Sequence, residues 1–426
     1  MTHRQNIAVI GAGISGIAAS YYLDKHNNVS IFESAPRLGG HANTISVKDN
    51  NGVTQHIDTG FIVYNKKNYP NFLRFLSELQ VESLSTDMSF SYTNPKYNIS
   101  YAGTRKSIIN TIVQPSYKTN RKILLSIYKY TNKLKRDKNK SSLQNITIRD
   151  YLSKVGCPTD TIENYFVPIA SAIWSCNRED ANAIPANAYI TFFENHGLLD
   201  LFKRLHWHTI CGGSKTYIDA FVSKFLGKVY LNTKITQVIE QENGVLLHSH
   251  DGKKYNFDQV ILATHADISL KIVSNLTNEK KSILGSHKYS YNDVYLHTDK
   301  EFMPKDQTSW ACWNAITTQQ NNLNDKTYIT YYSNRLQNLK SYTKYFITVN
   351  PPIEPKSETT LYKTKYSHPI LTKTWSETMS DLSILNSNSK ISFCGAYLGY
   401  GFHEDGFRSG KLIANKINSN STVYEQ

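Results

Sequence analysis

The chain has 426 residues, 40% of them hydrophobic and 12% aromatic, which excludes a disordered or low-complexity chain and allows a substantial buried core. Five cysteines, at positions 157, 176, 211, 312 and 394, are odd in number and never form C-x-x-C. A disulfide scaffold or zinc module is therefore not expected, and a reducing, cytoplasmic setting is. The formal net charge of +14 is uneven, with Lys and Arg crowded between residues 117 and 140.

In chain order, Ile7–Ile10 is a short apolar run bounded by glycine, the pattern of a buried parallel strand. It breaks after four residues, so no secretory signal is expected. A helix from Ile14 to about His26 and a strand at Val29–Phe32 complete a β-α-β unit. Gly11-Ala-Gly13-Ile14-Ser15-Gly16 sits at its strand-to-helix turn as G-x-G-x-x-G. Gly11 permits the turn, Gly13 admits a pyrophosphate close to the backbone, and Gly16 brings helix and strand together. Glu33, 20 residues beyond Gly13, ends the second strand where a carboxylate can meet ribose hydroxyls.

Two long stretches rich in Tyr, Asn and Lys follow, roughly 75–205 and 270–385. Within the first, residues 117–140 read as a basic amphipathic helix with Ile123, Leu124, Leu125, Ile127 and Tyr128 as its apolar group. Two readings stand: a solvated helix, the usual fate of a charge run, or a segment lying on an anionic membrane surface. Nucleic acid is not expected, because no recognisable binding module accompanies the charge. Between the stretches, residues 212–221 suggest a turn into a helix, residues 228–240 and 244–250 alternate like strands, and Val260–Ala263 is a further strand. Ile391–Cys394 is a last strand, followed by a glycine-rich turn and a helix from about Asp405 to Ile417.

Residues 33–44, ESAPRLGGHANT, carry Arg37-x-Gly39-Gly40, and residues 56–65 read HIDTGFIVYN. With CGAYLGYGFHEDGFRSG at 394–410, NHGLL, GGSKTY and LATHAD, they make the chain resemble the amine-oxidase/phytoene-desaturase superfamily of FAD oxidoreductases. The resemblance is closest to bacterial NAD/FAD-binding amine-oxidase-like oxidoreductases and spans nearly the whole chain. It implies an α/β fold with a discontinuous Rossmann-type FAD domain, expected from 1–75, 205–270 and 385–426. An inserted α+β substrate domain is expected from 76–204 and 271–384. The implied cofactor contacts are Gly11, Gly13, Ile14, Ser15, Gly16, Glu33, Ser34, Arg37, Gly39, Gly40 and His41, then Gly60 and Phe61, with Ile235 at the adenine. Gly395, Ala396, His403, Glu404 and Asp405 are implied at the ring and ribityl chain. Position 396 is usually acidic in the superfamily, so Ala396 departs from the pattern.

His41 and His403 are the titratable candidates for proton transfer, and Phe402 and Tyr64 are candidates for an aromatic wall that Tyr397 and Tyr400 share. Trp174, Asn195, His196, Trp310 and Trp313 are expected in the inserted domain, in its core or along a substrate channel. The pairs His206/His208 and His248/His250 lack an evident third ligand, so no metal is expected. Cys394 is expected to pack. The expected function is hydride transfer between flavin N5 and an apolar, acyl-lipid-like small molecule, in desaturation, saturation or isomerisation. Two alternatives are an amine oxidase releasing hydrogen peroxide and a non-catalytic binding protein on the same fold. A cytoplasmic location, with peripheral contact at the inner membrane face, completes the expectation.

Overall fold

Five parallel strands form the sheet on which the glycine-rich turns stand. From one edge they are Lys228–Tyr230, Asn28–Phe32, Asn6–Ile10, Gln259–Leu262 and Ile391–Phe393. These residues belong to a computed structural model that describes residues 4–104, 107–109, 118–143, 145–199, 205–320 and 323–423. All four inner residues of the first two strands are buried, as near-continuous apolar strands require when both faces are covered.

The first helix, Ile14–Leu23, stops three residues short of the expected end. Its C-cap, Asp24, keeps helical geometry, and its carboxylate accepts from the Leu226 N–H at 2.7 Å. The last helix runs from His403 to Val423, longer than the sequence suggested at both ends. The two helices pack along each other, and glycines on the last one let the backbones touch. A Cβ on Gly410 would stand 2.1 Å from the Ser15 carbonyl oxygen, and one on Gly406 would stand 2.8 Å from Ser15 Oγ.

Residues 228–240 do not form a single strand. Asn232, at φ +51°, turns the chain after Tyr230. Ile235–Gln241 then pairs antiparallel with Gly244–Ser249 in a separate three-stranded sheet completed by Lys254–Phe257. The turn is legible in the sequence only as a lone Asn-Thr, which explains why the boundary was invisible there.

A second, seven-stranded sheet draws on both long stretches. Its order is Thr360–Ile370, Lys288–His297, Phe346–Val349, Leu323–Tyr332, Trp313–Gln320, Phe90–Asn94 and Ile99–Ala102. Among the described residues, the only parallel pairing in it joins Trp313–Gln320 to Phe90–Asn94. Helices Lys118–Asp137, Ile148–Lys154, Val167–Trp174 and Ala186–Asn195 pack against its Tyr92, Ala315 and Ile329 in one apolar cluster.

On the basic helix the apolar group divides between faces. Ile123 and Ile127 join the core, whereas Leu125 is 71% and Tyr128 50% exposed. Asp137 is buried at its end, where burial would raise its carboxyl. Bonds from Tyr151, Lys140 and Lys133 more than offset that and hold it down to about 2. Among the described residues no helix is long and apolar enough to cross a membrane.

Candidate functional site

The first glycine turn is built for close backbone approach. Gly11 takes φ +98°, and a Cβ there would stand 2.7 Å from the Ala263 carbonyl oxygen of the neighbouring strand. Gly16 is more constrained still, with a Cβ 1.9 Å from the Gly11 oxygen. Gly13 differs: no atom lies within 4 Å of where its Cβ would be. It is the N-cap of the Ile14–Leu23 helix, whose first turn holds no acidic residue and no side-chain cap. The open space therefore faces the positive end of a helix dipole.

Glu33 and Arg37 flank this turn. Glu33 accepts from the Ala12 N–H at 2.8 Å and the Ala35 N–H at 2.9 Å, and Ser34 Oγ donates to it at 3.2 Å. The Arg37 guanidinium donates to the carbonyls of Leu38, Gly40 and Ala42. It shapes the loop that brings Gly40 against Gly13, whose Cα lies 3.0 Å from a Cβ built on Gly40. Among the described residues no carboxylate forms an ion pair with Arg37, so its charge is left for another anion.

The C-terminal motif closes the same site. A Cβ on Gly395 would strike the Tyr397 ring at 2.3 Å, and the Gly395 N–H donates to Ser409 Oγ at 2.9 Å. Asp405 accepts from the N–H groups of Tyr400 and Phe402 at 3.0 and 3.1 Å, tying down the turn. Glu404 accepts from the Asn71 and Phe72 N–H groups at 3.1 and 3.0 Å, capping the Pro70–Glu78 helix.

Between the two motifs lies a cavity of about 330 Å³. Gly13, Ile14, Ser15, Gly39, His41, Gly60, Phe61, Gly395, Ala396 and His403 line one side. Met88, Phe90, Ile169, Ile173, Trp174, Phe192, Leu198, Trp313 and Tyr331 line the other. No Asp, Glu, Lys or Arg is among the lining residues. Five histidines are, namely His41, His196, His265, His368 and His403, and burial lowers the pKa of every one. His196 and His368 fall to about 4 and His403 to about 3, while His41 falls well below its ordinary value. The cavity wall is therefore uncharged near neutral pH.

His403 stacks on Phe61 with ring centroids 3.6 Å apart, and its Nε2 lies 3.0 Å from the Tyr217 hydroxyl. Phe402 stacks on Phe192 at 4.6 Å. His41 stacks on Tyr366 at 4.8 Å and lies 5.2 Å from the His368 ring and 6.1 Å from that of His265.

Several sequence-stated candidates stand elsewhere. Tyr64 does not line the cavity; it is 1% exposed and packs among Tyr69, Phe72 and His208, because its strand pairs it with His208. The side chains of Glu404 and Asp405 serve the protein's own backbone rather than the cavity. Ile235 is buried and paired with Ser249 and is not among the residues lining this cavity. Trp174, His196 and Trp313 do line the cavity, whereas Trp310 packs against Tyr332 and Phe346 and donates to the Pro304 carbonyl at 2.7 Å. Cys394 is fully buried, with its thiol pushed up to about 12 by that burial. Among the described residues no three His, Cys, Asp or Glu come together to hold a metal.

His265, Tyr289, Ser367 and His368 line the cavity and were not singled out in the sequence. His265 could have been, since it follows the carboxyl end of the Gln259–Leu262 strand, where parallel sheets place ligands. His368 had no such signal; it reaches the site through long-range pairing with the Lys288–His297 strand.

The profile of a family described as flavin containing amine oxidoreductase matches residues 14–344, well over half of the chain. Wild-type putrescine oxidase bound to putrescine superposes with a TM-score of 0.68 at 14% identity, covering 98% of this chain and 100% of its own. Cyclohexylamine oxidase from Brevibacterium oxydans IH-35A gives 0.68 at 14% identity over 100% of both chains. A CLA-producing fatty acid isomerase from P. acnes gives 0.68 at 12%, covering 97% of this chain and 98% of its own. No curated protein matches the sequence.

Proposed function

This chain belongs to the family of flavin containing amine oxidoreductases, and from that premise we propose an apolar, acyl-lipid-like substrate whose hydride exchanges with FAD in desaturation, saturation or isomerisation. The enzyme is an FAD-dependent oxidoreductase. Bound FAD supplies a two-electron centre that accepts or returns a hydride. The residues fit that cofactor. The empty side of Gly13 leaves room for a diphosphate at the helix N-terminus, and Arg37 offers an unpaired positive charge. Glu33 accepts two N–H bonds and keeps lone pairs for ribose hydroxyls. We assign Gly39–His41, Gly60, Phe61, Gly395, Ala396 and His403 to the ring end of the same group. We assign 1–75, 205–270 and 385–426 to the cofactor domain, and 76–204 and 271–384 to the substrate domain.

One observation carries the substrate reading: no charged side chain lines the cavity among the described residues. An ammonium buried there would lack a counter-charge, at a penalty of several kcal/mol. An apolar chain meets Ile169, Ile173, Phe192 and Trp174 instead, and these walls keep water from the reacting carbons. Of the two histidines considered for proton transfer, His403 is engaged by Tyr217, whereas the buried Nε2 of His41 has no partner. His41 is therefore the stronger candidate. The outer face of the Lys118–Asp137 helix, with Leu125 and Tyr128 exposed among cations, fits peripheral contact with an anionic membrane on the cytoplasmic side.

The family and the putrescine and cyclohexylamine oxidase neighbours favour a second reading, amine oxidation with release of hydrogen peroxide. One experiment separates the two. The FAD-loaded protein is mixed anaerobically with acyl lipids or with amines, and the flavin band near ~450 nm is followed. Bleaching by saturated acyl compounds, or return of the band when their unsaturated forms are added after photoreduction, is expected. Bleaching by amines alone would overturn the lipid reading, and a protein that takes up no FAD would overturn both.

A further inference from the structure

One imidazole on the cavity wall has its proton fixed by a chain of hydrogen bonds that starts from the backbone. The Asp293 N–H donates to Asn350 Oδ1 at 2.9 Å. The Asn350 nitrogen is then the donor that meets Asn292 Oδ1 at 2.6 Å. This leaves the nitrogen of the buried Asn292 to donate, at 2.9 Å to His368 Nδ1 and at 3.1 Å to Ser290 Oγ. A ring nitrogen that accepts carries no proton, so neutral His368 holds its hydrogen on Nε2. Burial lowers the ring to about 4, and neutral is therefore its state near pH 7.

The His368 ring lines the cavity. Enclosed side-chain atoms without a partner include the Nε2 of His41 but not that of His368, which opens on the cavity instead. The next residue, Pro369, packs on the C-terminal glycine turn, where a Cβ on Gly401 would stand 2.7 Å from Pro369 Cγ. To the other side lies the His41 ring, 5.2 Å away between centroids. The His368 N–H thus stands beside the residues assigned above to the ring end of FAD.

A fixed, neutral donor is selective. An ammonium has only hydrogens to offer and would oppose the N–H. A carboxylate would bring a charge that no lining cation offsets among the described residues. A hydroxyl can accept, but no charge builds on it during hydride transfer. A carbonyl oxygen accepts, stays neutral at rest, and gains charge when the carbons next to it react.

We propose that His368 is a catalytic residue whose Nε2–H holds the carbonyl oxygen of an acyl substrate that reacts at the α and β carbons of that carbonyl. In saturation, hydride passes from reduced FAD to the β carbon, and the electron pair of the C=C bond shifts through the α carbon to the oxygen. The N–H meets the negative charge where it develops. A proton, taken up overall from solvent, then completes the α carbon and the carbonyl re-forms. Desaturation runs the same steps in reverse. This inference rests on the apolar-substrate reading and narrows it to α,β-unsaturated carbonyl compounds and their saturated forms.

The test is calorimetric binding to the FAD-loaded protein of methyl trans-2-dodecenoate, 2-dodecene, dodecanoate and dodecylamine, with an infrared reading of the bound ester. The ester is expected to bind about tenfold tighter than the other three, the effect of one matched hydrogen bond in a buried site. Its carbonyl band should fall below the frequency it has in an alkane. His368→Phe should remove both the preference and the band shift, and leave 2-dodecene within about twofold of its original affinity. His368→Gln, which keeps a donor, should retain both. Equal affinity for all four compounds overturns the proposal, as does a preference that survives His368→Phe. So does a His368→Phe protein whose resting flavin spectrum shifts while the ester band stays low, since the ring would then serve the cofactor. If none of the four binds, the apolar-substrate reading falls as well; binding without preference sinks only the carbonyl site. Should His368→Phe not fold, the ranking and the ester band on the unaltered protein decide.

Discussion

Gly13 is the residue at which cofactor binding and stability separate most cleanly. Its φ of −71° suits any side chain, and a Cβ would meet nothing. Gly13→Ala should leave thermal unfolding of the FAD-free protein within about 0.5 kcal/mol of the original. It should nevertheless lower FAD content on purification, because the methyl group would fill the open space that we propose for the diphosphate. Retained FAD would mean that the diphosphate lies elsewhere. Asp58 shows the converse, a residue of structure alone. Its buried carboxylate accepts from Ser214 N–H at 2.8 and 3.0 Å, from Ser214 Oγ and Thr44 Oγ1 at 2.6 Å, and from Gln337 Nε2 at 3.0 Å. Asp58→Asn turns an NH₂ toward these donors and should destabilise by about 1–3 kcal/mol in urea unfolding.

Among elements, the Ile14–Leu23 and His403–Val423 helices meet in backbone-close contact at Ser15 and Gly410. Gly410→Ala drives a methyl into the Ser15 carbonyl and should cost about 1–3 kcal/mol as the helices separate. Weaker FAD retention should accompany it, since Ser15 and His403 line the same cavity; unchanged melting would show that the helices have slack. The strands and helices around this joint were legible in the sequence because glycine spacing and short apolar runs are local signals. The place of His368 on the cavity wall was not. His368 reaches the cavity on a strand whose register with Lys288–His297 depends on residues some eighty positions away, and nothing nearby marks it. Tyr64 failed for a related reason: alternation along Val63–Asn65 gives no sign of which face meets the cavity and which meets Phe72.

At the scale of the whole molecule, buried histidines set the acid limit of stability. His196, His287, His297 and His368 are lowered to about 4 by burial, from an ordinary 6.5. The unfolded chain therefore binds more protons between those values, and stability is complete above 6.5 and lost as pH falls toward 4. Asp58 acts in the opposite sense. Burial raises it to about 6 from 3.8, so its contribution is present below 3.8 and lost as pH rises through 6. Asp24, Asp180 and Asp405 are raised as well, whereas His41, His208, His265 and His403 are lowered with the four above; eight histidines outweigh four carboxyls, and urea unfolding should show stability rising from pH 4.5 to 7. His287, both of whose ring nitrogens lack partners, offers a check. His287→Phe should flatten that slope by up to about 1.4 kcal/mol per pH unit, and an unaltered slope would mean the ring is hydrated.

The contact between Ser15 and Gly410 also dictates an order of events during synthesis. The ribosome releases the first glycine turn almost four hundred residues before its partner helix exists. Until then the apolar flank of the early helix has no cover, and the halves of the nucleotide cradle stay apart. A nascent chain in that condition is a natural client for chaperones, and its slowest step is a closure of very long sequence separation. On the site we propose, FAD can bind only after that closure, and it then draws the equilibrium toward it by mass action. Riboflavin supply during expression should therefore govern how much soluble protein accumulates, as well as how yellow it is.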